Sequence, residues 1–340
     1  MLLRAPRFWD SRSPAAWALL PLACLYAAAS SIRRRLYRWQ LLRPIAVKVP
    51  VIVVGNITAG GTGKTPLVLW MAKGLAAGGW RPGIITRGYG GRCSMAKEVL
   101  ASSDPLEVGD EAVLLARRSG CPVWRGADRV LAGRSLLSAH PECNCLISDD
   151  GLQHYRLSRQ VEIAVVDGAR GLGNRLPLPS GPLREPASRL DAVDAVVVNG
   201  MAGSERERVF GMQLGGDGFV NMVSGRRALQ PTEGLAKRVH AVAGIGNPGR
   251  FFQTLRSMGL EPLEHPFPDH HAFVRQDLVF SDDHPVVMTE KDAVKCSSFA
   301  EKSWWYLPVT ASVDTGLLDI VVERISHPPM PPKDLCGATP

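Results

Sequence analysis

Residues 49–66, Val-Pro-Val-Ile-Val-Val-Gly-Asn-Ile-Thr-Ala-Gly-Gly-Thr-Gly-Lys-Thr-Pro, constrain this chain more than any other stretch. Val51 to Val54 are all β-branched, the composition of a strand buried on both faces. A glycine-rich turn and Gly63-Lys64-Thr65 follow, and then Leu67, Val68, Met71, Ala72, Leu75 and Ala76 recur at helical spacing. Strand, glycine loop, Gly-Lys-Thr and helix in that order is the context of a phosphate-binding P-loop. Thr58, Ala59, Gly60, Gly61, Thr62 and Gly63 would turn their backbone N–H groups around a polyphosphate, helped by the partial positive charge of the helix N-terminus. Lys64 would reach the β- and γ-phosphates, and the Thr65 hydroxyl would hold Mg²⁺. The strict pattern asks for glycine where Thr58 stands, but every other feature agrees on nucleotide binding.

A chain of 340 residues with 45% hydrophobic content can build two cores. Its net charge of +8 is concentrated at one end: residues 1–43 carry eight arginines against one acid, Asp10. The rest is close to neutral, which argues against a nucleic-acid groove. That basic end also holds an apolar run from Ala15 to Ala29, broken by Pro21 and followed by Arg33-Arg34-Arg35. The arginines oppose export as a signal peptide, and the run is short for a spanning helix, which needs about 20 apolar residues. A helix lying on anionic lipid fits best, with a true span and a buried core helix as the competing readings. Seven scattered cysteines include Cys143 and Cys145 but no second pair at zinc spacing, and read as core thiols of a reducing compartment.

Further along, Pro82 to Thr86 reads as a strand running into Arg87-Gly88-Tyr89-Gly90-Gly91, and α/β folds place ligand groups at such strand ends. Gly109-Asp110-Glu111 opens a helix. Cys145 to Asp149 is an apolar strand ending in Asp149-Asp150, the pattern of an acid that orients Mg²⁺ after a P-loop. Gly151-Leu152-Gln153-His154 then turns sharply. Val161 to Asp167 and Ala192 to Asn199 are two more buried-type strands, separated by a proline-pinned loop that carries Arg184 and Glu185. A polar stretch from Ser224 to Arg238 suggests a domain boundary. Beyond it come the strand Val239 to Ala243, a tight turn, a helix from Arg250, then Phe-Pro-Asp-His-His at 267–271 and a strand ending in Met-Thr-Glu-Lys-Asp at 288–292. Asp269, His270 and His271 invite a metal reading, but no supporting cluster lies upstream. The expected domains are therefore 1–45, a membrane-anchoring segment; 46–224, a P-loop domain; 225–327, a second α/β domain; and 328–340, a disordered tail.

The stretches VPVIVVGNITAGGTGKTP, TRGYGG, GDEA, SDDGLQH, LPSGPLREP, FPDHHAF and MTEKDAVKC, in this order over residues 49–296, resemble the tetraacyldisaccharide 4′-kinases, the lipid A 4′-kinases of Gram-negative bacteria. That family shares the Thr58 departure. The resemblance implies two α/β/α domains, the first RecA-like and the second smaller, with a cleft between them, an N-terminal membrane-associated helix and a two-stranded linker, which the turn after Asp150 could provide. It implies transfer of the γ-phosphate of ATP, with Mg²⁺, to the 4′-hydroxyl of tetraacyldisaccharide 1-phosphate. Lipid IVA would form at the cytoplasmic face of the inner membrane, with no obligate protein partner. By the same resemblance Asp110 is the general base and His270 its partner, while Lys64 and Arg184 stabilise phosphoryl charge. Thr65, Glu111, Asp149, Asp150 and Gln153 form the metal shell, and Arg87, Tyr89, His154 and Glu185 contact substrate. Two rivals remain from the residues themselves. One is a partner-handling P-loop ATPase, although that group's extra signature lysine is replaced by Thr58; the other is a membrane-surface nucleotide sensor that does not turn over.

Overall fold

The computed structural model describes residues 6–92, 95–204, 206–216, 218–229 and 235–327. The tail expected at 328–340 lies outside them. The chain opens with helices α1 (Pro14–Ala18) and α2 (Leu20–Arg38). There follow β1 (Val51–Gly55), α3 (Lys64–Ala77), β2 (Pro82–Thr86), β3 (Lys97–Val99), α4 (Pro105–Val108), α5 (Asp110–Ser119), β4 (Val123–Arg125), α6 (Arg129–Ala139), β5 (Cys145–Asp149), β6 (Val161–Asp167), β7 (Ala195–Asn199) and β8 (Val209–Gly216). A second group comprises β9 (Phe219–Asn221), β10 (Arg227–Ala228), β11 (Arg238–Ala243), α7 (Pro248–Ser257), β12 (Glu261–Pro266), β13 (Val286–Thr289), α8 (Glu290–Cys296) and β14 (Trp304–Leu307). The chain then returns through β15 (Val309–Val313) and α9 (Gly316–Ser326).

The first sheet has the order β15-β8-β7-β6-β1-β5-β2-β4-β3 and is parallel except at its two outer pairs, β15·β8 and β3·β4. Strand β1 is central because it is apolar on both faces. Ile52 and Val54 join a core with Leu67, Met71 and Leu75 of α3, Ala112 and Leu115 of α5, and Leu317 and Val321 of α9. Val51 and Val53 face the other way, towards Val130 and Leu136 of α6. Because β1, β2, β5, β6 and β7 run in the same direction, their carboxyl ends share one edge, where ligands bind in open α/β sheets.

The second sheet, β10-β9-β14-β13-β11-β12, is also covered on both faces. Ala241 and Val239 meet Phe251, Phe252 and Leu255 of α7 on one side; Val242 and Met288 meet Ala293 and Cys296 of α8 on the other. Trp304 and Trp305 are core residues of β14, 2% and 6% exposed.

The change of sheet does not follow the expected boundary at 224/225. It falls between Gly216 and Phe219, and Val309–Val313 rejoin the first sheet while α9 packs on its core. The second domain is thus an insertion, and the two chain crossings are the ends of the antiparallel pair β8 and β15. This pair, rather than the turn after Asp150, makes the two-stranded link. The turn after Asp150 leads into β6, which pairs with β1 in the same sheet.

Among the described residues no helix is long and apolar enough to cross a membrane. The run Ala15 to Ala29 is split between α1 and α2, where Leu22, Leu25, Tyr26 and Ile32 are exposed while Ala16 and Ala23 are fully buried. Cys143, Cys145 and Cys296 are buried, but Cys24 is exposed on α2, so it is not a core thiol.

Candidate active site

Gly63 caps α3 at φ +93°, a conformation open to glycine, and so delivers Lys64 and Thr65 as the first helical residues. The preceding loop is braced by the 178–186 segment: the Ala59 N–H donates to the Pro182 carbonyl at 2.8 Å and the Arg184 N–H to the Ile57 carbonyl at 2.7 Å. The Asn56 amide donates to the Gly60 carbonyl at 3.1 Å and closes the turn. The Thr62 hydroxyl and the Asn199 amide oxygen are buried without hydrogen-bond partners, while the Asn199 amide nitrogen donates to the Thr62 carbonyl at 3.2 Å.

Asp150, at φ +50°, receives Lys64 Nζ at 3.5 Å and Arg184 Nη1 at 3.2 Å. Burial would raise its carboxyl, but those two cations outweigh it and hold Asp150 below the usual range. Its neighbour Asp149 is fully buried at the end of β5; burial, reinforced by the charge of Glu111, pushes it up to about 7. One of its oxygens, Oδ1, has no hydrogen-bond partner. Gln153 is committed to the Asn56 carbonyl at 2.9 Å and to Glu185 at 2.8 Å. Glu185 is itself buried between Gln153, Tyr155 and Arg189, so neither oxygen faces open space. His154 is half-buried in the field of Arg129, and burial lowers it to about 4.

The other half of the cleft comes from α5 and the second domain. Gly109, at φ +97°, lets the chain turn beneath the 87–91 loop: an added Cβ would lie 2.7 Å from the Tyr89 carbonyl oxygen. Asp110 and Glu111 follow in the first turn of α5. Asp110 Oδ2 meets His270 Nδ1 at 3.0 Å, although the two residues are 160 apart in sequence. His270 is in the left-handed region at φ +58°, and the Tyr89 ring lies 5.0 Å from its ring. Burial would raise Asp110, but the His270 hydrogen bond and the charges of Lys291 and Lys295 outweigh it and lower it. Arg87 is exposed; its carbonyl, with those of Gly88 and Glu107, accepts from the buried Arg125 guanidinium, which pins this loop.

The site also contains residues to which the sequence motifs assigned no role. Lys291, in the first turn of α8, places Nζ 3.1 Å from Glu111 and 3.5 Å from Asp269. Burial would lower this ammonium, but Glu111, Asp110 and Asp269 outweigh it and hold it above the ordinary lysine value. Arg118 of α5 pairs with Glu290 of α8 at 2.5 Å, so α5 and α8 carry ion pairs at the domain interface. Arg125 of β4 and Arg129 of α6 are both buried. The His271 expected in a metal reading pairs instead with Asp277 at 2.9 Å. Among the described residues no three His, Cys, Asp or Glu side chains converge tightly enough to hold a metal by themselves. The unpartnered Asp149 oxygen and the Glu111 charge acting on it still fit a cation that takes its other ligands from phosphate.

The family model described as tetraacyldisaccharide-1-P 4′-kinase matches residues 15–326. A tetraacyldisaccharide 4′-kinase of Azoarcus sp. (strain BH72) is 51% identical over 327 residues, covering 95% of this chain and 96% of the relative. The enzyme of that name from Alkalilimnicola ehrlichii is 52% identical over 309 residues, covering 90% of this chain and 92% of the relative. Among solved structures, the "apo" form of LpxK from Aquifex aeolicus in complex with ATP superimposes with a TM-score of 0.79 at 25% identity, over 91% of this chain and 99% of that one.

Proposed function

The chain belongs to the tetraacyldisaccharide-1-P 4′-kinase family, and from that premise we propose how its cleft carries out the reaction. The enzyme transfers the γ-phosphate of ATP to the 4′-hydroxyl of tetraacyldisaccharide 1-phosphate and forms lipid IVA, a step of lipid A biosynthesis. The observation that carries the mechanism is the 3.0 Å contact between Asp110 and His270, which come from different domains.

The 4′-oxygen bonds to the γ-phosphorus as the bond to the β,γ-bridging oxygen breaks, and ADP leaves with that electron pair. The hydroxyl proton passes to Asp110, whose carboxylate is kept ionised by the cations around it. An alcohol needs an acceptor only late in a loose phosphoryl transfer, so a well-oriented carboxylate suffices. Lys64 and Arg184, which share Asp150 in this structure, are placed to neutralise charge on the transferring group. Mg²⁺ would be held by Thr65, Asp149 and Glu111 and would neutralise the phosphate oxygens. Asp150 and Gln153 act behind them by orienting Arg184 and Glu185. Tyr89, whose ring lies 5.0 Å from that of His270, and the exposed Arg87 would contact the sugar headgroup. Glu185 contributes through the scaffold, since it is buried among its partners.

Four acyl chains keep the substrate in a bilayer, at about 0.8 kcal/mol per buried CH₂. The exposed Leu22, Leu25 and Ile32 on α2, with Arg33 to Arg35 and Arg38 alongside, suit a helix lying on an anionic surface at the cytoplasmic face of the inner membrane. The test uses micelles of the lipid substrate with labelled ATP and Mg²⁺, comparing wild type, Lys64→Ala and Asp110→Ala. Label should reach lipid with wild type and be lost with both variants. ATP hydrolysis without labelled lipid would overturn the reading in favour of a partner-handling ATPase.

A further inference from the structure

We propose that Lys291 is a positioning residue of this site, a second-domain ammonium that sets the orientation of His270 against Asp110. This rests on the reading of Asp110 as the base. Lys291 occupies the first turn of α8, where the helix dipole disfavours a cation. Its own helix does not account for it, because its acidic neighbours are engaged elsewhere. Glu290 takes Arg118 and the Val309 N–H, and Asp292 takes the Gly244 N–H and the Thr289 hydroxyl. All of its own partners lie outside the helix: Glu111 at 3.1 Å, His270 Nε2 at 3.4 Å, Asp269 at 3.5 Å and Asp110 at 3.9 Å.

Those contacts assign the imidazole. An ammonium only donates, so Nε2 accepts from Lys291; an ionised carboxylate only accepts, so Nδ1 carries the hydrogen that reaches Asp110. With both ring nitrogens engaged, His270 has no free lone pair facing the substrate. It holds Asp110, and Asp110 takes the proton. A non-glycine residue in the left-handed region is strained and persists only where its surroundings over-determine it. Lys291 supplies part of that constraint from α8, while the Tyr89 ring supplies another part from the first domain. Lys295, one turn on, does not compete for this role: its Nζ is 2.6 Å from Asp292 on its own helix and 3.8 Å from Asp110.

The test is a double-mutant cycle on lipid phosphorylation with Lys291→Met, His270→Gln and the combination. Lys291→Met should lower kcat by about tenfold or more with KM for ATP changed less than about twofold, the signature of an interaction used in the transition state. In the His270→Gln background the same substitution should cost less than about twofold, because its effect runs through the imidazole. Lys291→Arg should recover most of the lost kcat. An equal loss in both backgrounds, a rise confined to KM for ATP, or no loss of kcat would each overturn the proposal. If Lys291→Met does not fold, Lys291→Gln replaces it in the cycle. Wild-type transfer to lipid, measured in parallel, tests the kinase reading separately.

Discussion

Asp292 is the side chain on which the placement of α8, and therefore of Lys291, most depends. It is fully buried, accepts the Gly244 N–H at 2.8 Å and the Thr289 hydroxyl at 2.6 Å, and lies 2.6 Å from the ammonium of Lys295, which is itself 6% exposed. Asp292→Ala would strand that ammonium, and breaking a buried pair by removing one partner costs about 3–5 kcal/mol. The lost bonds to Gly244 and Thr289 would add about 1 kcal/mol each, whereas Asp110, 3.8 Å from Lys295, offsets part of the loss. A net destabilisation of about 4 kcal/mol is expected, local to the second domain. Hydrogen exchange read by mass spectrometry on peptides from residues 286–307 measures that local opening free energy. Asp292→Ala/Lys295→Met should recover about 2 kcal/mol, because it removes the stranded charge. A loss below about 1 kcal/mol for the single variant, or a double variant no more stable than the single, would refute the reasoning.

Gly109→Ala forces a side chain into φ +97° and within 2.7 Å of the Tyr89 carbonyl; it should cost about 2 kcal/mol in urea unfolding and displace Asp110, lowering kcat with it. Arg125→Met removes the donor to the Arg87, Gly88 and Glu107 carbonyls, so peptides covering residues 87–91 should exchange faster while those from β1 do not change. For His154 the pH sign is definite. Its imidazole titrates near 6.5 when unfolded but near 4 in the fold, where burial disfavours the charge, so between these values only the unfolded state binds the extra proton. Stability contributed by this residue falls as pH drops through that window, and His154→Gln should flatten the urea midpoint between pH 6.5 and 4. An unchanged slope would place the titration elsewhere.

The parts of this fold that were legible in the sequence are those where one segment suffices. Val51 to Val54, the Cys145 to Asp149 strand and the Gly63-Lys64-Thr65 turn each carry their environment in their own composition, and the structure places them as neighbours on one sheet edge. What depends on distant partners was not legible. Val309–Val313 reads as any short strand, and only its pairing with β8 shows that it belongs to the first sheet, which moves the domain boundary. Lys291 lies within the MTEKDAVKC stretch, but its role was not legible there, because the partners that define it, Glu111 and His270, arrive from other elements. Glu185 sat in a loop motif that suggested substrate contact, and its burial by Tyr155 and Arg189 is a tertiary fact.

The insertion of one domain into the other also has a consequence for synthesis. The last strand and last helix of the parent sheet, β15 and α9, supply Val313, Leu317, Val321 and Ile325 to the core beneath the P-loop helix. A ribosome delivers these residues only after the entire inserted domain. The inserted sheet can therefore complete itself on the nascent chain while the parent sheet still lacks an edge strand and a covering helix. Apolar surface on α3 and on β6 is left waiting in that interval. A nascent chain stalled with residue 308 at the mouth of the exit tunnel should accordingly protect the second domain from protease and leave α3 open to cleavage.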